Sequence, residues 1–213
     1  MPSKPLLTVE TLHDALMELG TLARAEGKVI ELAIYGGSAL MLASNFRVST
    51  RDVDAVADAD GQRVIERLAA TIAERRGWSP DWLNDQVYPF LSDAVDGLDQ
   101  HHSLFRSYPS EHEPGVRAFV PTPEYILAMK LMAMRISAGS DGKDRADILN
   151  LISIVGLQSA AEAMQFVSAF YPEARVSQKV VLGLDELFAS RAFPEENRPD
   201  VAPAYLGRGR TPH

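Results

Sequence analysis

Apolar residues recur along this chain with two periods, and their alternation is the first structural information it offers. Leu12, Leu16, Leu19 and Ala23 share one face at helical spacing, behind Thr8 as a cap and ahead of Gly27 as a stop. That predicts a helix over 9–26. Val29 to Tyr35 is rich in β-branched and apolar residues and ends at Gly36-Gly37, as a buried strand does. Ser38 to Ser44 is short and apolar and reads as a helix behind that strand. Val53 to Ala57 reads as a second strand. The stretch 61–76 reads as an amphipathic helix, with Val64, Leu68 and Ile72 on one face and Gly77 as terminator. Helix, strand, helix, strand, helix is an α/β pattern.

The stretch 78–123 is less regular and holds a predicted strand pair at 102–107 and 116–120 with a polar turn between. Thr122-Pro123 then reads as a helix cap with proline at the first helical position. Helices are predicted over 124–137, 143–155, 159–170 and 177–190, with a glycine-rich break at 139–142 and a capping box of Ser159 with Glu162. From Phe193 onward four prolines and a Gly-Arg-Gly-Arg run read as an extended tail. The expected class is α/β (α+β): a small mixed sheet core flanked by helices over 1–121, a helical lobe over 122–192 and a tail over 193–213.

Composition narrows the chemistry. The 213 residues include no cysteine, which excludes a disulfide scaffold, a zinc-thiolate site and a cysteine nucleophile. There are 29 acidic and 21 basic residues, a net charge of −8 that argues against a broadly basic nucleic-acid binder. No apolar stretch has the length of a signal-peptide core or a membrane span, so a soluble, cytoplasmic protein with no membrane contact is expected.

The chemistry concentrates in Tyr35-Gly36-Gly37-Ser38, followed after thirteen residues by Asp52-Val53-Asp54. Two glycines after a buried strand let the chain turn sharply and let a ligand approach the backbone. Ser38 adds a hydroxyl at a helix start, where free N–H groups favour an anion. Asp52 and Asp54 are two apart on a strand, so both point to one face, with Cα atoms roughly 6.6 Å apart. Two carboxylates on one face repel unless a cation lies between them. Mg²⁺ takes a few carboxylates together with phosphate oxygens. The combination describes a site for a nucleoside triphosphate with its metal. Each half alone has an ordinary reading, as a plain turn and as a solvated strand end. Neither a Walker lysine nor a Rossmann fingerprint is present.

Gly-Gly-Ser, spacer, Asp-x-Asp resembles the polymerase-β-type nucleotidyltransferase superfamily, and within it the AbiEii-like branch, which includes toxins of bacterial toxin–antitoxin and phage-defence systems. Further segments carry the likeness: Arg47 and Thr50-Arg51 ahead of the Asp pair, Trp82-Leu83-Asn84-Asp85, and Pro123-Glu124 through Lys130 and Leu131. Arg135 and Lys143-Asp144-Arg145-Ala146-Asp147-Ile148 complete it. The resemblance covers about residues 30–155. It implies that Asp52 and Asp54 bind Mg²⁺ (or Mn²⁺) and that Gly36, Gly37 and Ser38 hold phosphates. It also implies that Lys130 neutralises phosphate charge, with Asp147 or Asp144 orienting Lys130 or the acceptor. Arg47 and Arg51 are phosphate-contact candidates, since guanidinium forks match phosphate. The implied activity is transfer of a nucleotide from an NTP to an acceptor hydroxyl, on a tRNA 3′ end or a protein, with a cognate antitoxin as partner.

One departure stands out. The superfamily commonly places a third carboxylate on a later strand, whereas the 116–120 strand carries Arg117 and no acid. That motivates an alternative, a catalytically weak nucleotide-binding or regulatory interaction module. Other candidates rank lower. His101, His102 and His112 are a possible metal cluster or a polar loop, and His13 reads as a surface helix residue. Trp78, Trp82, Tyr88 and Phe90 serve either base stacking or the core, the core being favoured. The acidity itself is local: 52–60 carries four acids and no base, 81–99 carries five and none, and the remainder sums to +1.

Overall fold

The computed structural model describes residues 4–44, 46–134 and 142–189. Arg135, the predicted end of the 124–137 helix, the break as far as residue 141, the Lys143 side chain and the tail over 193–213 lie outside the described residues. The architecture is mixed α/β, with a five-stranded mixed sheet and seven α-helices among the described residues.

The elements in order are α1 (Val9–Ala25), β1 (Ile30–Ile34), α2 (Gly36–Ala43), β2 (Val53–Val56), α3 (Ala59–Arg76), β3 (Leu83–Asn84), β4 (His102–Tyr108) and β5 (Val116–Pro121). After these come α4 (Pro123–Met132), α5 (Gly142–Val155), α6 (Ala160–Ser168) and α7 (Gln178–Ala189). Thr8 and Thr11 form a reciprocal capping box on α1. The Asp58 carboxylate accepts from Gly61 N–H, so α3 starts at Ala59, two residues before the glycine at which the pattern predicts it. Helix α4 ends at Met132, short of the predicted 137.

The chain forms two compact units. Among the described residues, the first takes those up to Pro89 together with His102–Pro121, and the second takes Phe90–His101 together with those from Thr122 to Ala189. The 1–121 core expected from sequence thus loses 90–101 to the helical unit. Side-chain hydrogen bonds explain the assignment. The Tyr125 hydroxyl accepts from Ser92 N–H, the Ser92 hydroxyl donates to the Phe170 carbonyl, and Tyr171 donates to the Phe90 carbonyl at 2.6 Å.

In the first unit the strand order is β3-β2-β1-β5-β4. Strand β1 runs antiparallel to β2 and parallel to β5, β2 runs parallel to β3, and β4 pairs antiparallel with β5. Ile30, Leu32, Ile34, Val53, Ala55, Val116 and Ala118 share one buried cluster with the apolar stripes of α1 and α3. Period-2 alternation then turns Asp54 and Val56 to the opposite face of the sheet, while Asp52 lies one residue ahead of β2, in the loop that leads into it. The core face therefore dictates which way Asp54 points. In the second unit α4 packs on α5 and α6 packs on α7 around Tyr125, Leu127, Leu131, Leu151, Ile152 and Leu184.

Candidate functional site

The site in the first unit is built where β1 ends. Tyr35 occupies the cap position of α2 and supplies no side-chain hydrogen bond to it. The first turn of α2 holds no acid, so its positive dipole end is unopposed from within the helix. Gly36 has φ +61°, and a Cβ there would stand 2.6 Å from Asp54 Oδ2. Only glycine combines that backbone with that approach, and the turn lies directly against one of the two carboxylates. Tyr35 N–H donates to the Asp54 carbonyl at 2.8 Å, fixing β2 beside the turn. A Cβ on Gly37 would lie 3.0 Å from Arg47 Nη1, so the Arg47 guanidinium lies against Gly37. Arg51 is exposed next to Asp52. The fold thus brings together Gly36, Gly37, Ser38, Arg47, Asp52 and Asp54 from three chain segments, with Arg51 following in the same loop.

Ser38 works differently from the expectation. Its side chain is buried, and its hydroxyl donates to the Asp52 carbonyl at 2.8 Å. The Thr50 hydroxyl donates to the same carbonyl at 3.2 Å. In this structure the Ser38 hydroxyl is therefore spent on holding the carboxylate strand, and what Ser38 presents toward an anion is its backbone N–H.

Two further residues complete the electrostatics, and neither was singled out by the sequence reading. Lys4 Nζ lies 2.9 Å from Asp52 Oδ2 and 3.2 Å from Asp81 Oδ2. The hydrogen bond to Asp52 raises the Lys4 pKa above its ordinary value, against the opposing effect of burial, and Asp81 adds to the rise. The Asp81 carboxylate is held below the usual carboxylate range chiefly by the Ser79 hydroxyl, and then by Lys4. Lys4 is 48 residues from Asp52, and no local pattern marks it. Asn84, from the Trp-Leu-Asn segment, lies in register with Asp54 on the parallel neighbour β3. Its amide donates to the Asp81 carbonyl at 3.4 Å and accepts from Gln86 N–H at 3.0 Å.

The oxygen donors suit Mg²⁺ or Mn²⁺. A protein cation already sits on Asp52, and Asp54 lines a cradle that a Cβ at Gly36 would fill. Among the described residues no group of three or more His, Cys, Asp or Glu side chains is placed to hold a metal ion. Two carboxylates without a closed cage match an ion that takes its remaining ligands from water and substrate phosphates.

The second unit holds a compact ion cluster of its own. Lys130 Nζ lies 2.9 Å from Asp147 Oδ2 and 3.3 Å from Asp144 Oδ1. Asp147 is buried and Lys130 nearly so, with side-chain exposures of 3% and 14%, so this lysine is not a solvated one. Both acids of the Lys-Asp-x-x-Asp segment converge on Lys130, as i and i+3 positions of one helix allow.

The remaining candidates have local duties. Trp82 is fully buried, its indole N–H donating to the Ala69 carbonyl, with Trp78 edge-on at 5.3 Å, so the core reading holds for it. Tyr88 is exposed. His101 packs against Tyr125 and Phe170 in the second unit, and His102 hydrogen-bonds the Tyr35 hydroxyl in the first. His112 is exposed in the hairpin turn, so the three histidines serve separate surroundings. Glu111 bonds Ser107, and Glu113 pairs with Arg24. Arg117 pairs with Glu31 at 3.9 Å. His13 is not a plain surface residue: its Nδ1 shares a 2.6 Å hydrogen bond with the Tyr108 hydroxyl, and burial lowers its pKa. A groove of about 370 Å³ between α1 and α3, lined by Met17, Leu22 and the Glu18–Arg76 pair, shares no residue with the glycine turn or the Asp pair.

Comparison with known proteins adds one structural likeness. The chain is similar to an antigenic nucleotidyltransferase-like protein from Paracoccidioides brasiliensis, with a TM-score of 0.38 and 17% identity over 70% of this chain and 79% of that one. A likeness of that size carries no argument about activity. No family model and no curated protein matches the chain. No single helix among the described residues is long and apolar enough to cross a membrane.

Proposed function

We propose that this chain is a divalent-metal-dependent nucleotidyltransferase of the AbiEii-like kind, acting in the cytoplasm as the toxin of a toxin–antitoxin or phage-defence system. The observation that carries the chemistry is the Gly36–Asp54 contact. A left-handed glycine turn at a helix start lies against the Asp54 carboxylate on β2, two residues after Asp52. In this reading the backbone N–H groups of Gly36, Gly37 and Ser38 bind triphosphate oxygens, and Arg47 and Arg51 add guanidinium forks. Asp52 and Asp54 hold Mg²⁺ (or Mn²⁺). When bound, such a metal would supply charge stabilisation for the pentacoordinate phosphorus of the transition state and a lowered pKa for the acceptor hydroxyl. Lys130 is assigned phosphate neutralisation, and Asp147 with Asp144 holds its ammonium. The acceptor is a hydroxyl, on a tRNA 3′ end or on a protein, and a cognate antitoxin is the expected partner.

The test is incubation with each labelled NTP, Mg²⁺ and total RNA or lysate. Wild type is expected to transfer label. Asp52→Ala/Asp54→Ala should lose at least about a hundredfold in rate, the scale of removing charge stabilisation from a transition state. No transfer by wild type, or equal transfer by the double variant, sinks the proposal. One observation favours the second reading, a catalytically weak nucleotide-binding or regulatory module: β5 carries Arg117, paired with Glu31, and no acid. NTP binding by calorimetry without pyrophosphate release selects that reading.

A further inference from the structure

The N-terminal segment crosses the loop that carries the Asp pair. Leu7 and Thr50 exchange two backbone hydrogen bonds, at 2.8 and 2.9 Å, and Leu7 and Pro5 are buried. The pairing is antiparallel, so stepping back from Leu7 to Lys4 runs alongside stepping forward from Thr50 to Asp52. This one bridge lays the N-terminal segment beside the Asp52 loop, and from there the Lys4 side chain reaches Asp52 Oδ2. Asp81 sits within reach of the same ammonium, its carboxylate held by the Ser79 hydroxyl, and so provides a second berth.

We propose that Lys4 is a built-in competitor for the divalent cation, seated on Asp52 Oδ2 and moving to Asp81 when the cation binds. The inference rests on the Asp52–Asp54 pair being the metal site and concerns how that site is gated. An ammonium 2.9 Å from Oδ2 and an Mg²⁺ about 2.1 Å from the same oxygen stand no more than about 5 Å apart. Like charges at that range oppose each other, so binding of one weakens the other. Both Lys4 and Asp52 are about one-third exposed, at 34% and 37%, so water can replace either partner and the exchange is open. Asp81 keeps the displaced ammonium paired, which keeps the segment on the molecule.

The experiment is Mn²⁺ titration of the full chain by calorimetry and electron paramagnetic resonance, with melting curves in chelator to verify folding. Lys4→Ala is expected to bind Mn²⁺ roughly two- to fivefold more tightly than wild type, the span that an exposed ion pair is worth. Lys4→Arg keeps a competing cation and stays near wild type. Asp81→Asn removes the second berth and weakens Mn²⁺ binding. Mn²⁺ binding by Lys4→Ala equal to or weaker than wild type, with binding still lost in Asp52→Ala/Asp54→Ala, overturns the gate alone. Tighter binding by Asp81→Asn overturns it too. Absence of Mn²⁺ binding in wild type and Lys4→Ala alike, or its persistence in the double Asp variant, overturns the gate together with the metal site.

Discussion

Each unit of this protein carries a lysine between two aspartates, and the two clusters are opposites in burial. Lys4 lies between Asp52 and Asp81 with all three side chains at least one-third exposed. Lys130 lies between Asp144 and Asp147, and there one acid is almost fully enclosed. In water an ion pair exchanges partners at little cost, because solvent screens the charges and replaces the bond. In a buried pair each charge depends on the other, since removing one leaves the other desolvated and alone. The first cluster is therefore suited to releasing its lysine, and the second to holding its lysine still. Of the two, only the exposed cluster leaves room for partner exchange.

The largest stability effect tests that contrast directly. Lys130→Met is expected to lose roughly 3 kcal/mol or more in urea denaturation, because Asp147 is left buried without its cation. Lys130→Met/Asp147→Leu should recover most of the loss. Lys4→Ala, measured in the same way, should cost less than about 1 kcal/mol. Equal losses in the two single variants would erase the distinction between the clusters.

A smaller effect concerns the rigid wall of the exposed site. Gly36→Ala forces an L-residue into the left-handed region, at roughly 1–2 kcal/mol, and also drives a Cβ toward Asp54 Oδ2. Gly27 has a similar φ of +69° with nothing within 4 Å of an added Cβ, so Gly27→Ala reports the backbone cost alone. A greater loss of stability and of Mn²⁺ binding in Gly36→Ala than in Gly27→Ala sharpens the assignment of the glycine turn to the Asp pair. Identical behaviour breaks it.

The smallest effect comes from His13, which is half-buried and so falls between the two clusters. Burial lowers its pKa below the ordinary 6.5, so the unfolded chain binds the proton more readily than the folded one. Stability is thus fully present above pH 6.5 and falls as the pH drops through the folded-state value. Thermal melts from pH 7.5 to 5 should show that slope, and His13→Gln should flatten it. A slope unchanged in His13→Gln assigns the acid sensitivity to other groups.

Much of the fold is legible from local pattern. The apolar periods mark α1, β1, β2, α3 and the strand pair within a residue or two of their observed bounds, because each period reflects a face that must be buried. Asp54 is legible for the same reason: Val53 and Ala55 enter the core, so Asp54 faces away from it. The Ser38 hydroxyl is not legible locally, because the partner that claims it, the Asp52 carbonyl, is 14 residues away. Nor is the setting of His13, because Tyr108 is 95 residues away. Segment 90–101 carries no strong period, and its place in the helical unit depends on the Tyr125 and Tyr171 hydroxyls.

The sequence by itself determined the elements, the face of β2 that bears Asp54, and the need for glycine beside it. Those follow from short-range periodicity and backbone sterics, which a few neighbouring residues settle. Tertiary structure alone decided which cation stands on Asp52, how deeply the Lys130–Asp147 pair is buried, and which strand neighbours Asp54. Lys4 and Asn84 reach their partners across loops and registers that no local pattern encodes. Coulomb and hydrogen-bond partners are chosen by distance in space, and distance in space is set only when the core closes.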